Sequence, residues 1–191
     1  ATQDAKQVTV CQEKIVATTL RLAEGGVRSI VAEGLYAAGT LDQPEPVRAA
    51  QVPVTSIPSA KWLLASRSDL AVYGFELRPL HEFGGAVVAQ LGTSAAKARE
   101  LAKDGYEALS QESKDEHERL IQDEFTRVNL WYAGVMTARS FLALQTALAV
   151  ALARRENQVQ LIIGKQHWSD LVYAVNRHDD VRLRLVPYSC E

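Results

Sequence analysis

The sequence predicts an α/β domain: a mostly parallel central sheet flanked by helices, with a long helical insertion between the second and third strands. Three observations predict it. Short, β-branched apolar runs occur at residues 27–32, 70–75 and 159–163, and stretches of helical periodicity separate them. Each run stops at a charged residue or glycine: Glu33-Gly34, Glu76 and Gly164-Lys165. Strands that alternate with helices need crossover connections, which make neighbouring strands parallel and cover both faces of the sheet. A chain of 191 residues suits one domain, 1–191, with the helical segment at about 94–156 inside it.

The elements follow in order. Val8, Cys11, Ile15, Val16, Thr19 and Leu22 recur at helical spacing, and Gly25-Gly26 supplies the stop. The first strand, 27–32, comes next. Residues 39–58 contain Pro44, Pro46, Pro53 and Pro58 and read as loop with one short helical turn. Ser59 caps a helix through Leu64, and the strand at 70–75 follows. His81, after Glu76 and Pro79, reads as a loop histidine. Residues 94–109 form a charged amphipathic helix weakened at Gly105; Ser113 and Glu116 form a capping box for a helix that runs, kinked near Gly134, to Arg155. The strand at 159–163, a helix at 169–176 and a strand at 181–186 complete the chain.

Composition narrows the function classes. The chain is 47% hydrophobic and 23% charged, with Lys+Arg 21 against Asp+Glu 23 and a formal net charge of -2. That balance is unlike disordered, collagen-like or disulfide-scaffold chains, and it lacks the basic excess that makes a dedicated nucleic-acid binder. The most apolar stretch, 141–153, contains Gln145 and Thr146 and runs into Arg154, Arg155 and Glu156. It falls short of the roughly 18 apolar residues a membrane span needs, so a buried helix and no transmembrane segment are expected. The chain begins at Ala1 with no visible leader, which favours a processed, periplasmic or secreted location. Cys11 and Cys190, near opposite ends, permit either a disulfide or two buried thiols.

In parallel sheets ligands bind beyond the carboxyl ends of the strands. There the chain places Glu33, Glu76 and His167. Two carboxylates and an imidazole suit a divalent Mn, Fe, Co or Zn ion whose bound water attacks a substrate. The same residues also read as an ordinary solvated loop carboxylate, a helix cap and a backbone-held histidine. His81 is a candidate further ligand or supporting partner, although an ordinary loop histidine is the simpler reading. No G-x-S-x-G elbow, phosphate loop, H-E-x-x-H or G-x-G-x-x-G is present.

The order of these motifs resembles a known superfamily. Gln12 in a first helix, Val31-Ala32-Glu33-Gly34, Val72-Tyr73-Gly74-Phe75-Glu76, Arg139 opening a long apolar helix, and Leu161-Ile162-Ile163-Gly164-Lys165-Gln166-His167 are similar to motifs of the erythromycin esterases, ChaN-like haem-binding lipoproteins and TIKI/TraB metalloproteases. The resemblance implies that Glu33, Glu76 and His167 line an active or metal site and that Arg139 stabilises charge or orders the carboxylates. It departs in one place: the family's first strand, with a G-x-x-H or G-E-x-H end, has no counterpart before the first helix.

Three functions follow as expectations. The first is a metal-dependent hydrolase-like domain, an esterase or peptidase acting on a small molecule or peptide, with Glu33, Glu76 and Arg139 catalytic and Glu33, Glu76 and His167 as metal ligands. The second is a haem- or iron-binding protein using the same pocket, with His81, His167, Tyr36 or Tyr73 as axial ligand. The third is a catalytically inactive interaction domain whose long helices make a homo-oligomer.

Overall fold

The structure, a computed structural model, describes residues 3–52, 60–177 and 184–188. Helix α1 (Gln3–Glu24) ends at the predicted glycines. Gly26 takes φ +100°, which lets its N–H and that of Val27 turn back to the carbonyls of Ala23 and Leu22, the crossed pair of bonds that closes a helix C-terminus. Strand β1 (Ser29–Tyr36) follows, then a two-residue antiparallel pair, β2 (Ala38–Gly39) and β3 (Pro44–Glu45), and one 3-10 turn at Ala49–Gln51. Helix α2 (Ala60–Ala65) leads to strand β4 (Ala71–Glu76). Ser59, its expected cap, lies outside the described residues.

The stretch after Glu76 is helix α3 (Arg78–Gln90) rather than loop. Pro79 is tolerated because it stands in the first turn, where backbone N–H groups have no intrahelical acceptor. Helix α4 (Thr93–Leu101) ends eight residues earlier than the periodicity suggests, and Gly105 with φ +104° precedes a separate 3-10 turn, Tyr106–Ala108. Helix α5 (Gln111–Asn129) is capped by Ser110, whose Oγ accepts the Ser113 N–H, and not by Ser113 itself. The expected kink at Gly134 is a π-helical segment, Leu130–Met136, leading into α6 (Thr137–Arg154). Strand β5 (Gln160–Ile162) and helix α7 (Trp168–Arg177) follow. Of the strand expected at 181–186, residues 181–183 lie outside the described residues and 184–186 are irregular.

The sheet is parallel, in the order β4-β1-β5, so the architecture is the α/β class the sequence predicts, with the helical insertion between the second and third sheet strands. The chain divides into two compact units, Ala1–Leu77 with Arg139–Glu191, and Arg78–Ala138. In the first, Ile30, Ala32 and Val72 pack with Ala23 and Leu64 on one face of the sheet, while Val31, Tyr73 and Phe75 pack with Ala143 and Val150 of α6 on the other. Leu144 of α6 meets Leu171 and Ala174 of α7. In the second, α4 lies on α5, and Glu124 of α5 accepts N–H groups of Gly92, Ser94 and Ala95 at the α4 N-terminus. Gly84 of α3 has no side chain to obstruct Val135 and Trp131 of the π-helical segment.

The helical run Gln111–Arg154 is long and apolar enough, by length and composition, to cross a membrane. Within the first unit its α6 part buries Ser140, Ala143, Leu144, Thr146 and Val150.

One irregularity in β1 positions the site. Ala32 pairs with Gly74 and Tyr36 with Glu76, so β1 spends four residues where β4 spends two. Ile30 and Ala32 lie on the same face as Leu35, which reverses the alternation inside the bulge. Gly34, with φ +76°, makes the turn that this requires. Gly74 makes room for it: a Cβ there would lie 2.3 Å from the Tyr36 carbonyl oxygen and 2.5 Å from that of Leu35.

Candidate functional site

Strand β1 is central, and the chain crosses from β4 on one side of it to β5 on the other, so its carboxyl end is the switch point where open parallel sheets form a crevice. Glu33 stands in the bulge there, Glu76 ends β4, and His167 closes the 3-10 turn Lys165–His167 just after β5. Arg139, near the start of α6, reaches between the two carboxylates. Its Nη2 donates to Glu33 Oε1 at 2.8 Å and also to Glu76 Oε1, and its Nε donates to Glu76 Oε2 at 3.0 Å. Backbone donors complete both groups: the Gly164 N–H reaches Glu33 Oε2 at 2.6 Å, and the Gly34 N–H reaches Glu76 Oε1 at 3.3 Å. All four predicted residues, Glu33, Glu76, Arg139 and His167, therefore meet in the first unit.

Burial differs sharply among them. The side chains of Glu76 and His167 are 1% and 0% exposed, that of Arg139 11%, and that of Glu33 23%, which makes Glu33 the group of the four nearest to solvent. Burial pushes the Glu33 carboxyl up, but the hydrogen bond and positive charge that His167 offers when its ring is charged, the Gly164 N–H and the Arg139 charge outweigh it and hold the group down at about 2. Burial lowers the Arg139 guanidinium, yet its hydrogen bonds and proximity to both glutamates raise it above its ordinary value.

His167 is oriented from behind. Its Nδ1 lies 2.8 Å from Ser140 Oγ, and Ser140 donates to Asp170 Oδ2 at 3.0 Å. Its Nε2 is buried, makes no hydrogen bond among the described residues, and faces Glu33 Oε1 at 3.4 Å.

Ser140, Asp170 and Lys61 escape a sequence reading. Ser140 is a polar residue inside an apolar helix, next to Arg139, and Asp170 stands three residues after His167; those are the only hints. Lys61 donates from Nζ to the Glu33 carbonyl oxygen at 2.9 Å. Burial holds its ammonium below the ordinary lysine value, against the opposite pull of Glu33 and Glu76. No pattern in α2 marks it. Gln12 accepts the first N–H of α2, from Ala60, at 2.9 Å and so ties α1 to α2.

Of the remaining candidates, Tyr36 ends β1 at the same sheet edge, as the register partner of Glu76, at 38% exposure, while His81 is on α3 in the second unit. Tyr73 is buried among Val31, Phe75 and Ala143 on the α6 face of the sheet. Cys11 lies on α1, while Cys190 lies outside the described residues, and with it any pairing of the two.

Among the described residues no group of three or more His, Cys, Asp or Glu side chains is arranged to hold a metal ion. The donor chemistry explains why. Both Glu76 oxygens and Glu33 Oε1 are engaged by the Arg139 guanidinium, and Glu33 Oε2 takes the Gly164 N–H. In this arrangement Glu33, Glu76 and His167 do not fit a common ion. The fold and site together define an α/β domain with a strand-edge cluster of carboxylates, guanidinium and imidazole. No family model matches the chain, and no curated protein or solved structure is significantly similar to it.

Proposed function

We propose that this is a hydrolase-like domain, of the esterase or peptidase type, acting at a carbonyl of a small molecule or peptide through the cluster at the carboxyl end of the sheet. The observation that carries the reading is the meeting of Glu33, Glu76, Arg139 and His167 at the switch point of a parallel sheet, where ionisable groups in a crevice are the default site. The motif resemblance to the esterase, ChaN-like and TIKI/TraB superfamily points the same way.

Each residue has a part. Glu33 is ionised at neutral pH and partly exposed, so it accepts a proton from the attacking water while the water oxygen bonds to the carbonyl carbon. His167 Nε2, immediately behind it, takes that proton on. Arg139 holds the two carboxylates at a fixed separation, and the Lys61 ammonium stands ready for the negative charge that develops on the carbonyl oxygen. Collapse of the tetrahedral intermediate breaks the bond to the leaving group, which recovers the proton from the Glu33–His167 pair. The burial of the α6 face against the sheet supports a core helix rather than a membrane span.

Turnover of p-nitrophenyl esters and a peptide library by the purified chain tests the proposal, with and without chelator and with Mn, Co, Zn or Fe added. Expected is chelator-resistant turnover lost by at least about 100-fold in Glu33→Gln and His167→Gln, the lower end of what acid–base groups contribute. Absence of turnover under all these conditions sinks the proposal. Turnover that appears only with added metal replaces the guanidinium-bridged site by a metal-loaded one. The haem reading is weaker here because Tyr73 and His167 are each packed on all sides.

A further inference from the structure

We infer that Ser140 and Asp170 are positioning residues that fix His167 in its Nδ1–H form, so that Nε2 is the nitrogen through which the ring exchanges a proton with Glu33. The catalytic consequence rests on the function proposed above, but the hydrogen-bond argument does not.

That argument is a count of protons. Asp170 Oδ2 stands 3.0 Å from Ser140 Oγ, and a carboxylate can only accept, so the serine proton belongs to Asp170. A hydroxyl has one proton to give. Ser140 Oγ is also 2.8 Å from His167 Nδ1, and that contact is a hydrogen bond only if the ring supplies the proton. The neutral ring therefore carries hydrogen on Nδ1 and a bare lone pair on Nε2.

The orientation matters because of what faces Nε2. This atom is fully buried, makes no hydrogen bond among the described residues and looks at Glu33 Oε1 across 3.4 Å. An imidazole free to choose would put its hydrogen on Nε2, toward the carboxylate. Here the serine and aspartate on the far side oppose that choice. Of the charged groups of the cluster, Glu33 from β1 faces the ring directly, Asp170 from α7 reaches it through Ser140, and Arg139 from α6 with Glu76 from β4 is linked to it through Glu33. The result is a line, Asp170–Ser140–His167–Glu33, along which one proton acceptor is left empty beside the group that meets solvent. The buried aspartate of a serine-hydrolase triad imposes the same tautomer directly; here a serine stands between.

Long-range proton–nitrogen correlation spectra of the full chain with 15N-labelled histidine test this without substrate. The His167 signals are assigned by their loss in His167→Gln. At a pH where the ring is neutral, the expected pattern is a protonated Nδ1 and a bare Nε2. Ser140→Ala removes the acceptor and is expected to move the hydrogen to Nε2; Asp170→Ala releases the serine proton and is expected to populate the Nε2–H form in part. A wild-type ring carrying its hydrogen on Nε2 overturns the inference, as do unchanged spectra in the two variants. The wild-type spectrum decides even if a variant fails to fold. A protein with the Nδ1–H ring and no hydrolytic turnover leaves this inference standing and removes the proposed function.

Discussion

Two arginines in this protein are each held by two carboxylates, and they differ in almost every physical respect except that. Arg119 on α5 pairs with Glu116 at 2.7 Å and Asp123 at 3.1 Å, at helix spacings of three and four residues, and its side chain is 59% exposed. Arg139 pairs with Glu33 and Glu76, drawn from two different strands, and is 11% exposed. The first set is an ornament of a solvated helix, formed by any helix with that spacing. The second exists only when sheet and helix are assembled, and it has been taken out of water. The same three chemical groups are decoration in one place and a constraint on the fold in the other.

The largest expected effect breaks the comparison most directly. Arg139→Met leaves two carboxylates crowded at the sheet edge without their counter-charge and is expected to destabilise the domain by about 3–5 kcal/mol in urea denaturation. Arg119→Met, measured in the same way, is expected to leave the midpoint where it was. Equal effects would mean that the Arg139 cluster is far better hydrated than its geometry indicates.

Acid sharpens the contrast. Glu33 has its folded value held down at about 2 against an ordinary 4.5, so it binds fewer protons folded than unfolded as pH falls. Its contribution to stability is fully present above 4.5 and drains away between 4.5 and about 2. Glu33→Gln is expected to flatten the pH dependence of stability in that window. Glu116→Gln, whose parent is also lowered by Arg119 but lies in solvent, is expected to change the profile much less.

The smallest effect is that of salt. Raising ionic strength to 1 M shortens the Debye length to about 3 Å, which screens the Arg119 pairs while leaving the buried Arg139 pairs nearly intact. The stability loss of Arg139→Met relative to wild type should therefore persist in 1 M salt, while Arg119→Met should stay level with wild type at both ionic strengths.

The parts that could be read from sequence are those set by local rules. Alternating strands and helices, the glycine stop after α1 and the carboxylates at strand ends follow from residue type and position. His81 reads as a loop residue but lies on α3, and Pro79 before it gives no warning of the helix because a proline suits a first helical turn as well as a loop. Ser110 is passed over for Ser113 because two serines three residues apart offer equivalent caps, and only the backbone decides. At the site, Glu33, Glu76, Arg139 and His167 carry charge or a ring and invite attention. Ser140 and Asp170 matter only through which atoms they meet across 27 and 30 residues of chain. Lys61 matters because of a backbone oxygen it reaches from α2. Such partnerships leave no periodicity behind.

The bulge in β1 has a consequence for how this sequence can change. Because the alternation reverses between Ala32 and Leu35, the strand is written in two phases, one on each side of Glu33-Gly34. Losing a single residue there would bring the second half into the phase of the first, which keeps Leu35 on the face of Ala32 but leaves Tyr36 one residue out of register with Glu76. Losing two would restore that register and close the strand, but it would turn Leu35 from the apolar layer toward the opposite face and take away the loop that holds Glu33. Length variation at this point therefore disturbs the register, the core or the site, and insertions tolerated by the rest of the chain should collect elsewhere.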